Sequence, residues 1–114
     1  MQSKLILSRR LRSTLIAGAL ILASWGGAAS AADAVVKIDN FTFAPQTLTV
    51  PVGTTVTFEN DDDIPHLVRE KDGKFKSKAL DTGDKFTQQF TTAGTVEYYC
   101  AIHPMMTGKI VVTP

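Results

Sequence analysis

The sequence predicts an all-β protein, a two-sheet antiparallel sandwich or barrel of about seven short strands. From Val35 onward, apolar and polar residues alternate in short segments, which is the period of a half-buried strand. Gly, Pro, Asp and Asn interrupt these segments, and no stretch of this region has the period of an amphipathic helix. Short β-branched and aromatic strands with frequent turns are typical of sandwiches and barrels.

The individual strands follow from this alternation and from the turn residues between them. In most segments a β-branched or aromatic residue recurs at every second position, which places those residues on one face of a strand. Pro45 marks a turn after the first strand, and Val52-Gly53 marks the next turn. The predicted strands, in chain order, are 36–41, 48–50, 54–59, 66–69, 86–90, 95–100 and 109–112.

Two polar segments interrupt the strands. Asp61-Asp62-Asp63 predicts a solvated turn, and a docking surface for a basic partner is the alternative. The stretch from Lys71 to Gly83 is charged and irregular, so we expect a surface excursion there.

One strand face carries the sole cysteine of the chain. In 95–100, Val96, Tyr98 and Cys100 share a face, whereas Glu97 and Tyr99 lie on the opposite face. If Val96 lies in the core, Cys100 lies at the inward end of a buried column. A small buried hydrophobe and a metal-binding thiolate both need this shielding, so periodicity alone does not choose between them.

Residues 1–31 have the organisation of a secretory signal peptide. Basic residues precede a mostly apolar run from Thr14 to Ala23, and Ala29-Ser30-Ala31 provides small residues for cleavage. We predict cleavage after Ala31, which leaves residues 32–114 as a single small domain in the periplasm. Cleavage after Ala32 and an uncleaved anchor are the alternatives, although the apolar run is short for a membrane span.

Charge and cysteine content exclude several functional classes. Four of the twelve Lys and Arg lie in the predicted signal, so eight remain against eleven Asp and Glu, a net charge of −3. Because no excess of positive charge remains, we expect no nucleic-acid binding. A single cysteine cannot form an intramolecular disulfide, and a lone thiol in an oxidising compartment needs burial or a bound metal.

A thiol, an imidazole and two thioethers lie within Cys100-Ala101-Ile102-His103-Pro104-Met105-Met106. Cys100 is the only cysteine, His66 is the only other histidine, and every methionine except the first lies in this cluster. One thiolate, imidazole nitrogens and a weak thioether form the ligand set of blue-copper electron-transfer sites. A site of one cysteine, two histidines and one methionine would use both imidazoles and the sole thiol.

Each of these residues alone has an ordinary explanation, such as a buried cysteine, a hydrogen-bonded histidine or a methionine that fills the core. Their coincidence at a strand–loop–strand junction favours a metal site. Two residues between successive ligands allow one loop to direct three side chains to one point, and His66, after Pro65, suits the remote fourth position. A thiolate with a thioether favours copper, because structural zinc sites rarely include a thioether.

Three motifs resemble the cupredoxin family, the small type 1 blue-copper proteins. They are Pro65-His66, Gly94-Thr95-Val96-Glu97-Tyr98-Tyr99-Cys100 and Cys100-x-x-His103-Pro104-x-Met106-x-Gly108-Lys109-Ile110-Val111-Val112. The short ligand loop is similar to that of amicyanin-like members, since plastocyanins have longer loops before the methionine. The resemblance implies a Greek-key sandwich or barrel of seven to eight strands with one mononuclear Cu(I)/Cu(II) site. It also implies that His66, Cys100 and His103 are equatorial ligands and Met106 the weak axial ligand, with Met105 as the competitor.

Three positions depart from the pattern common in that family. Leu67, Ala101 and Ile102 stand where relatives commonly have Asn, Ser or Thr, and Pro. We therefore expect apolar packing of Leu67 to replace a polar brace, while its backbone N–H donates to the Cys100 sulfur. A backbone N–H of Ile102 directed at the thiolate would favour Cu(I) and raise the reduction potential.

The resemblance implies a periplasmic, monomeric one-electron carrier rather than an enzyme. The exposed edge of His103, beside Pro104 and Met105, is the expected docking site for redox partners such as a c-type cytochrome or a periplasmic dehydrogenase or oxidase. Tyr99, next to the ligand thiol, is either an ordinary exposed strand residue or a second electron route. A copper carrier or scavenger without electron shuttling is the main alternative, and an accessory module of a copper oxidase is a weaker one. We expect no membrane insertion after signal cleavage.

Overall fold

The computed structural model describes residues 32–114, so the predicted signal peptide lies outside the described residues. Eight strands and no helix are present within this range. The strands are β1 (Asp33–Asp39), β2 (Thr42–Ala44), β3 (Thr47–Pro51), β4 (Thr54–Asn60), β5 (Val68–Glu70), β6 (Lys85–Phe90), β7 (Gly94–Cys100) and β8 (His103–Thr113). None of the described segments is a helix long and apolar enough to cross a bilayer. The all-β prediction is confirmed.

The strands form two four-stranded sheets, with the orders β2-β1-β4-β6 and β3-β8-β7-β5. Most neighbours pair antiparallel, but β1 pairs parallel with β4 and β3 pairs parallel with β8. The chain enters the second sheet as β3 and returns to the first as β4, so β1 and β4 are adjacent without being joined by a hairpin. The expected two-sheet sandwich is therefore present, and its sheets are mixed rather than purely antiparallel.

Alternation along the strands builds the core between the sheets. Val56 and Phe58 are fully buried on β4, and Tyr98 is buried on β7. The Tyr98 ring packs edge-on against Phe43 at 4.8 Å and against Phe58 at 5.2 Å between ring centroids. Such edge-to-face contacts add to the stabilisation from burial. The predicted face of β7 is confirmed, because Tyr98 and Cys100 are buried while Glu97 is exposed.

The segment from Lys71 to Gly83 is mostly the surface excursion that its charge predicted, but two of its residues are buried against the rest of the domain. Leu80 is fully buried, and its backbone pairs with that of His66 through hydrogen bonds of 3.1 and 2.8 Å. The buried Ser77 hydroxyl accepts a 2.9 Å hydrogen bond from the Val68 N–H. A few small or apolar residues thus fasten the segment over the core, and its lysines face away.

Candidate metal centre

Three sequence-predicted ligands meet at one end of the sandwich. Cys100 ends β7, His103 begins β8, and His66 lies in the connection between β4 and β5. The Cys100 Sγ lies 3.7 Å from the His66 Nδ1 and 3.6 Å from the His103 Nδ1. One ligand atom from each residue lies within 4.8 Å of the other two. The structure thus brings together residues that are up to 37 positions apart in the chain.

The β7–β8 hairpin brings two of these ligands together. A register shift between Tyr99 and Cys100 makes Cys100 pair with His103, and only two residues separate the paired positions. Side chains of directly opposed residues in an antiparallel pair start about 5 Å apart at their Cβ atoms. Their sulfur and nitrogen atoms therefore approach each other without a long loop.

The spacing of the three ligand atoms fits a bound metal ion. Metal–nitrogen bonds near 2.0 Å and metal–sulfur bonds near 2.3 Å separate a sulfur from a nitrogen by about 3.5–3.7 Å in trigonal or tetrahedral geometry. The observed separations are 3.6 and 3.7 Å. Cys100 and His66 are fully buried, and His103 is half-buried. The donor set therefore fits a soft transition metal shielded from solvent on the side of its thiolate.

The two methionines of the cluster face opposite directions. Met106 is 6% exposed and belongs to the buried core, whereas Met105 is 93% exposed. This difference follows from the alternation of side chains along β8. Met106, His103 and Phe41 also line one shallow groove at the surface. The burial of Met106 agrees with the inward direction that an axial ligand needs, and the exposure of Met105 agrees with its expected place on the rim.

One backbone donor contacts the thiol. The Leu67 N–H donates to Cys100 Sγ at 3.4 Å, as the sequence predicted. Among the hydrogen bonds of residues 32–114, none joins the Ile102 N–H to this sulfur, so the hypothesis of a second donor gains no support. The connection before β5 therefore contributes both the remote imidazole and the hydrogen bond to the thiolate.

Asp62 orients the remote histidine. Its Oδ2 lies 2.7 Å from His66 Nε2, and both side chains are buried. Burial raises the pKa of the Asp62 carboxyl, but the hydrogen bonds from the Phe41 N–H, the Asn40 N–H and His66 outweigh it and lower the pKa overall. A carboxylate that accepts from Nε2–H leaves Nδ1 free to bind a metal.

The prediction of a solvated turn at 61–63 is therefore wrong for Asp62. Asp61 does lie at the surface, where it pairs with Lys37 at 3.3 Å, and Asp63 is exposed. The buried Asn60 holds the loop in shape, because its side chain donates to Ile64 O and Leu80 O and accepts from the Asp62 N–H. Three consecutive aspartates give no sequence signal for which carboxylate turns inward.

Phe41 also belongs to this site, although the sequence suggested only a strand residue. Its ring lies edge-on to His103 at 5.1 Å and to His66 at 5.6 Å between ring centroids. Phe41 lies in the β1–β2 turn, far in sequence from both histidines. The spacing of residues near Phe41 could therefore not predict these contacts.

The surface over His103 is apolar. A groove of about 410 Å³ is lined by Phe41, Ile102, His103, Pro104, Met105 and Met106. Ile102 and Met105 are exposed there. None of the six residues carries a formal charge when histidine is neutral. Such a surface can form a weak, transient contact with another protein.

Comparison with known proteins identifies relatives. The family model of a Cupredoxin-like domain matches residues 12–112. The chain is 35% identical over 92 residues to the amicyanin of Paracoccus denitrificans. The matched region covers 75% of this chain and 70% of that protein.

Solved structures give the same result. The purple cupredoxin of Nitrosopumilus maritimus superposes with a TM-score of 0.66 at 38% identity, over 71% of this chain and 100% of that one. The Cu(I) form of an amicyanin variant superposes with a TM-score of 0.67 at 35% identity, over 76% of this chain and 87% of that one.

Proposed function

This chain belongs to the cupredoxin family as an amicyanin-like member, and we propose that it is a one-electron carrier with a single type 1 copper. The observation that carries this proposal is the convergence of His66 Nδ1, Cys100 Sγ and His103 Nδ1 at separations that suit one ion. Bound copper supplies the redox chemistry, because it alternates between Cu(I) and Cu(II). The chain is a carrier rather than an enzyme.

We assign His66, Cys100 and His103 as the equatorial ligands and Met106 as the weak axial ligand. The burial of Met106, and its place beside His103 in the same groove, support this assignment. Met105 is 93% exposed, which argues against the competing axial assignment.

Contacts within the protein hold the imidazoles in place. The Asp62 carboxylate fixes the ring of His66, and backbone pairing with Leu80 fixes its main chain. The Cys100–His103 pairing places the other two donors on one hairpin. Ligands that keep the same positions in both oxidation states lower the reorganisation needed for electron transfer, which suits a carrier.

The exposed edge of His103 is the proposed electron port. Pro104, Met105 and Ile102 surround it with uncharged surface, and a c-type cytochrome or a periplasmic dehydrogenase or oxidase is the proposed kind of partner. We further propose that residues 1–31 are removed after export. Residues 32–114 would then act in the periplasm as a monomeric, single-domain protein.

The visible spectrum of the copper-loaded protein tests the proposal. We expect an intense thiolate-to-Cu(II) charge-transfer band, which is absent in Cys100→Ser and unchanged in the control variant Met105→Leu. A colourless Cu(II) form of the wild-type protein would contradict a type 1 site.

A copper carrier without electron shuttling remains the second candidate. Such a protein should exchange copper rapidly with a chelator, whereas the full burial of Cys100 and His66 supports slow exchange. Repeated reduction and reoxidation in the presence of an equal concentration of chelator distinguishes the two functions. A shuttle keeps its copper through these cycles, whereas a copper carrier loses it to the chelator.

A further inference from the structure

The tip of the β1–β2 hairpin carries an aromatic residue where the backbone favours glycine. Asp39 pairs with Thr42, so Asn40 and Phe41 form a two-residue turn. Their φ angles are 52° and 58°, both in the left-handed region. Two-residue turns of this kind favour Asn followed by Gly, because a side chain at the second position is strained. The conformation of the turn therefore gives no reason for a phenylalanine at position 41.

Burial gives no sufficient reason either. Phe41 is 49% exposed, whereas Phe43, two residues later, is buried in the core between the sheets. An aromatic ring that is half-exposed and also strained at its backbone points to a role in the site beside it.

The ring of Phe41 contacts both ligand imidazoles. Its plane lies at 88° to that of His103 and at 90° to that of His66, with centroids 5.1 and 5.6 Å apart. These are edge-to-face geometries of the favourable kind. A single side chain from the turn therefore restricts the rotation of two donors that are far apart in sequence.

The turn is fastened to the site by one carboxylate. Asp62 Oδ1 accepts the Asn40 N–H at 2.6 Å, and Oδ2 accepts the Phe41 N–H at 3.0 Å. The same Oδ2 lies 2.7 Å from His66 Nε2. Asp62 thus connects the turn that carries Phe41 to the ligand that Phe41 contacts.

We propose that Phe41 is a positioning residue that caps the copper site. The ring holds the imidazoles of His66 and His103 in orientation and excludes water from one side of the ion. Exclusion of water favours the less charged Cu(I) form, so the cap slows copper loss and raises the reduction potential. This inference rests on the proposed copper function.

Phe41→Gly tests the cap, because glycine suits the turn and removes only the ring. We expect the metal-free variant to melt close to the wild type, since relief of backbone strain offsets the lost contacts. Its copper should pass to an excess of chelator at least about fivefold faster, because two aromatic contacts are lost. Its reduction potential should fall. The ring-proton resonances of His66 and His103 in the metal-free protein should also shift.

Val52→Ala is the matched control. Val52 is 41% exposed and lies in the β3–β4 turn, where its N–H bonds to Thr113 at the end of β8 opposite His103. Copper release and potential should match the wild type in this variant.

Three results would overturn the cap. The first is a Phe41→Gly protein whose copper release, reduction potential and histidine resonances equal those of the blue wild-type protein. A metal-free Phe41→Gly protein that melts far below the wild type would assign Phe41 to the fold instead. A colourless wild-type Cu(II) form would refute the copper carrier itself, and the cap with it.

Discussion

Asp62→Asn is the substitution that most directly tests the buried brace behind His66. The carboxylate accepts two backbone N–H groups, from Asn40 and Phe41, and also contacts His66 Nε2 at 2.7 Å. Asparagine has nearly the same shape but only one acceptor oxygen. Its amide NH₂ would face at least one of these donors, so at least one N–H would lose its partner.

The magnitude follows from the number and kind of hydrogen bonds changed. A hydrogen bond to a charged group contributes about 1.5–3 kcal/mol net, and a neutral one about 1 kcal/mol. Loss of one such bond and weakening of the others should lower the free energy of unfolding of the metal-free protein by about 2–4 kcal/mol. In a domain of this size that corresponds to a fall in Tm of roughly 10 °C or more.

Urea unfolding of the metal-free protein measures this loss, and the visible spectrum of the copper form measures its effect on the site. Asp63→Asn is the control, because Asp63 is exposed in the same loop. We expect the control to match the wild type within about 0.5 kcal/mol. An Asp62→Asn protein with wild-type stability and an unchanged spectrum would refute the role of Asp62 as a brace.

Three further predictions concern Tyr98, Gly108 and the methionines. Burial raises the pKa of Tyr98, so the folded protein favours the neutral phenol. The free energy of unfolding should therefore fall as pH rises from about 10, the usual pKa of tyrosine, toward the higher pKa of the folded state. The Tyr98 hydroxyl has no hydrogen-bond partner among residues 32–114. Tyr98→Phe should therefore gain up to about 1 kcal/mol and flatten the alkaline loss measured by urea unfolding; a large destabilisation would contradict this. Gly108→Ala should cost about 2 kcal/mol or more, because its Cβ would overlap the Tyr98 ring, and an unchanged Tm would refute the overlap. Met106→Leu should change the reduction potential and the visible spectrum of the copper form, whereas Met105→Leu should change neither; equal effects would contradict the axial assignment.

The site was predictable to the extent that its signals were local or rare. Cys100, His103 and Met106 lie within one hairpin and the start of its second strand, so their spacing alone suggested a common centre. His66 is remote, but it is the only other histidine of the chain. The preference for Met106 over Met105 came from the family resemblance, and the opposite burial of the two residues agrees with it.

The missed features depend on contacts between distant segments. Asp62 meets Asn40 and Phe41 across separations of 22 and 21 residues, and nothing near Asp62 in sequence distinguishes it from its two neighbours. The predicted first strand ran through Phe41, although Phe41 is out of phase with Val36 and Ile38, so its position in a left-handed turn was missed. The parallel β1–β4 and β3–β8 pairings were missed for the same reason, since alternation indicates a strand but not its neighbours.

A spectroelectrochemical titration of the wild-type copper protein tests the central claim most directly. A single ion held by His66, Cys100 and His103 predicts one charge-transfer band. That band should bleach and return in full along a one-electron curve, with one copper retained per chain. A colourless oxidised form, or loss of copper on reduction, would contradict the assignment of this protein as a type 1 electron carrier.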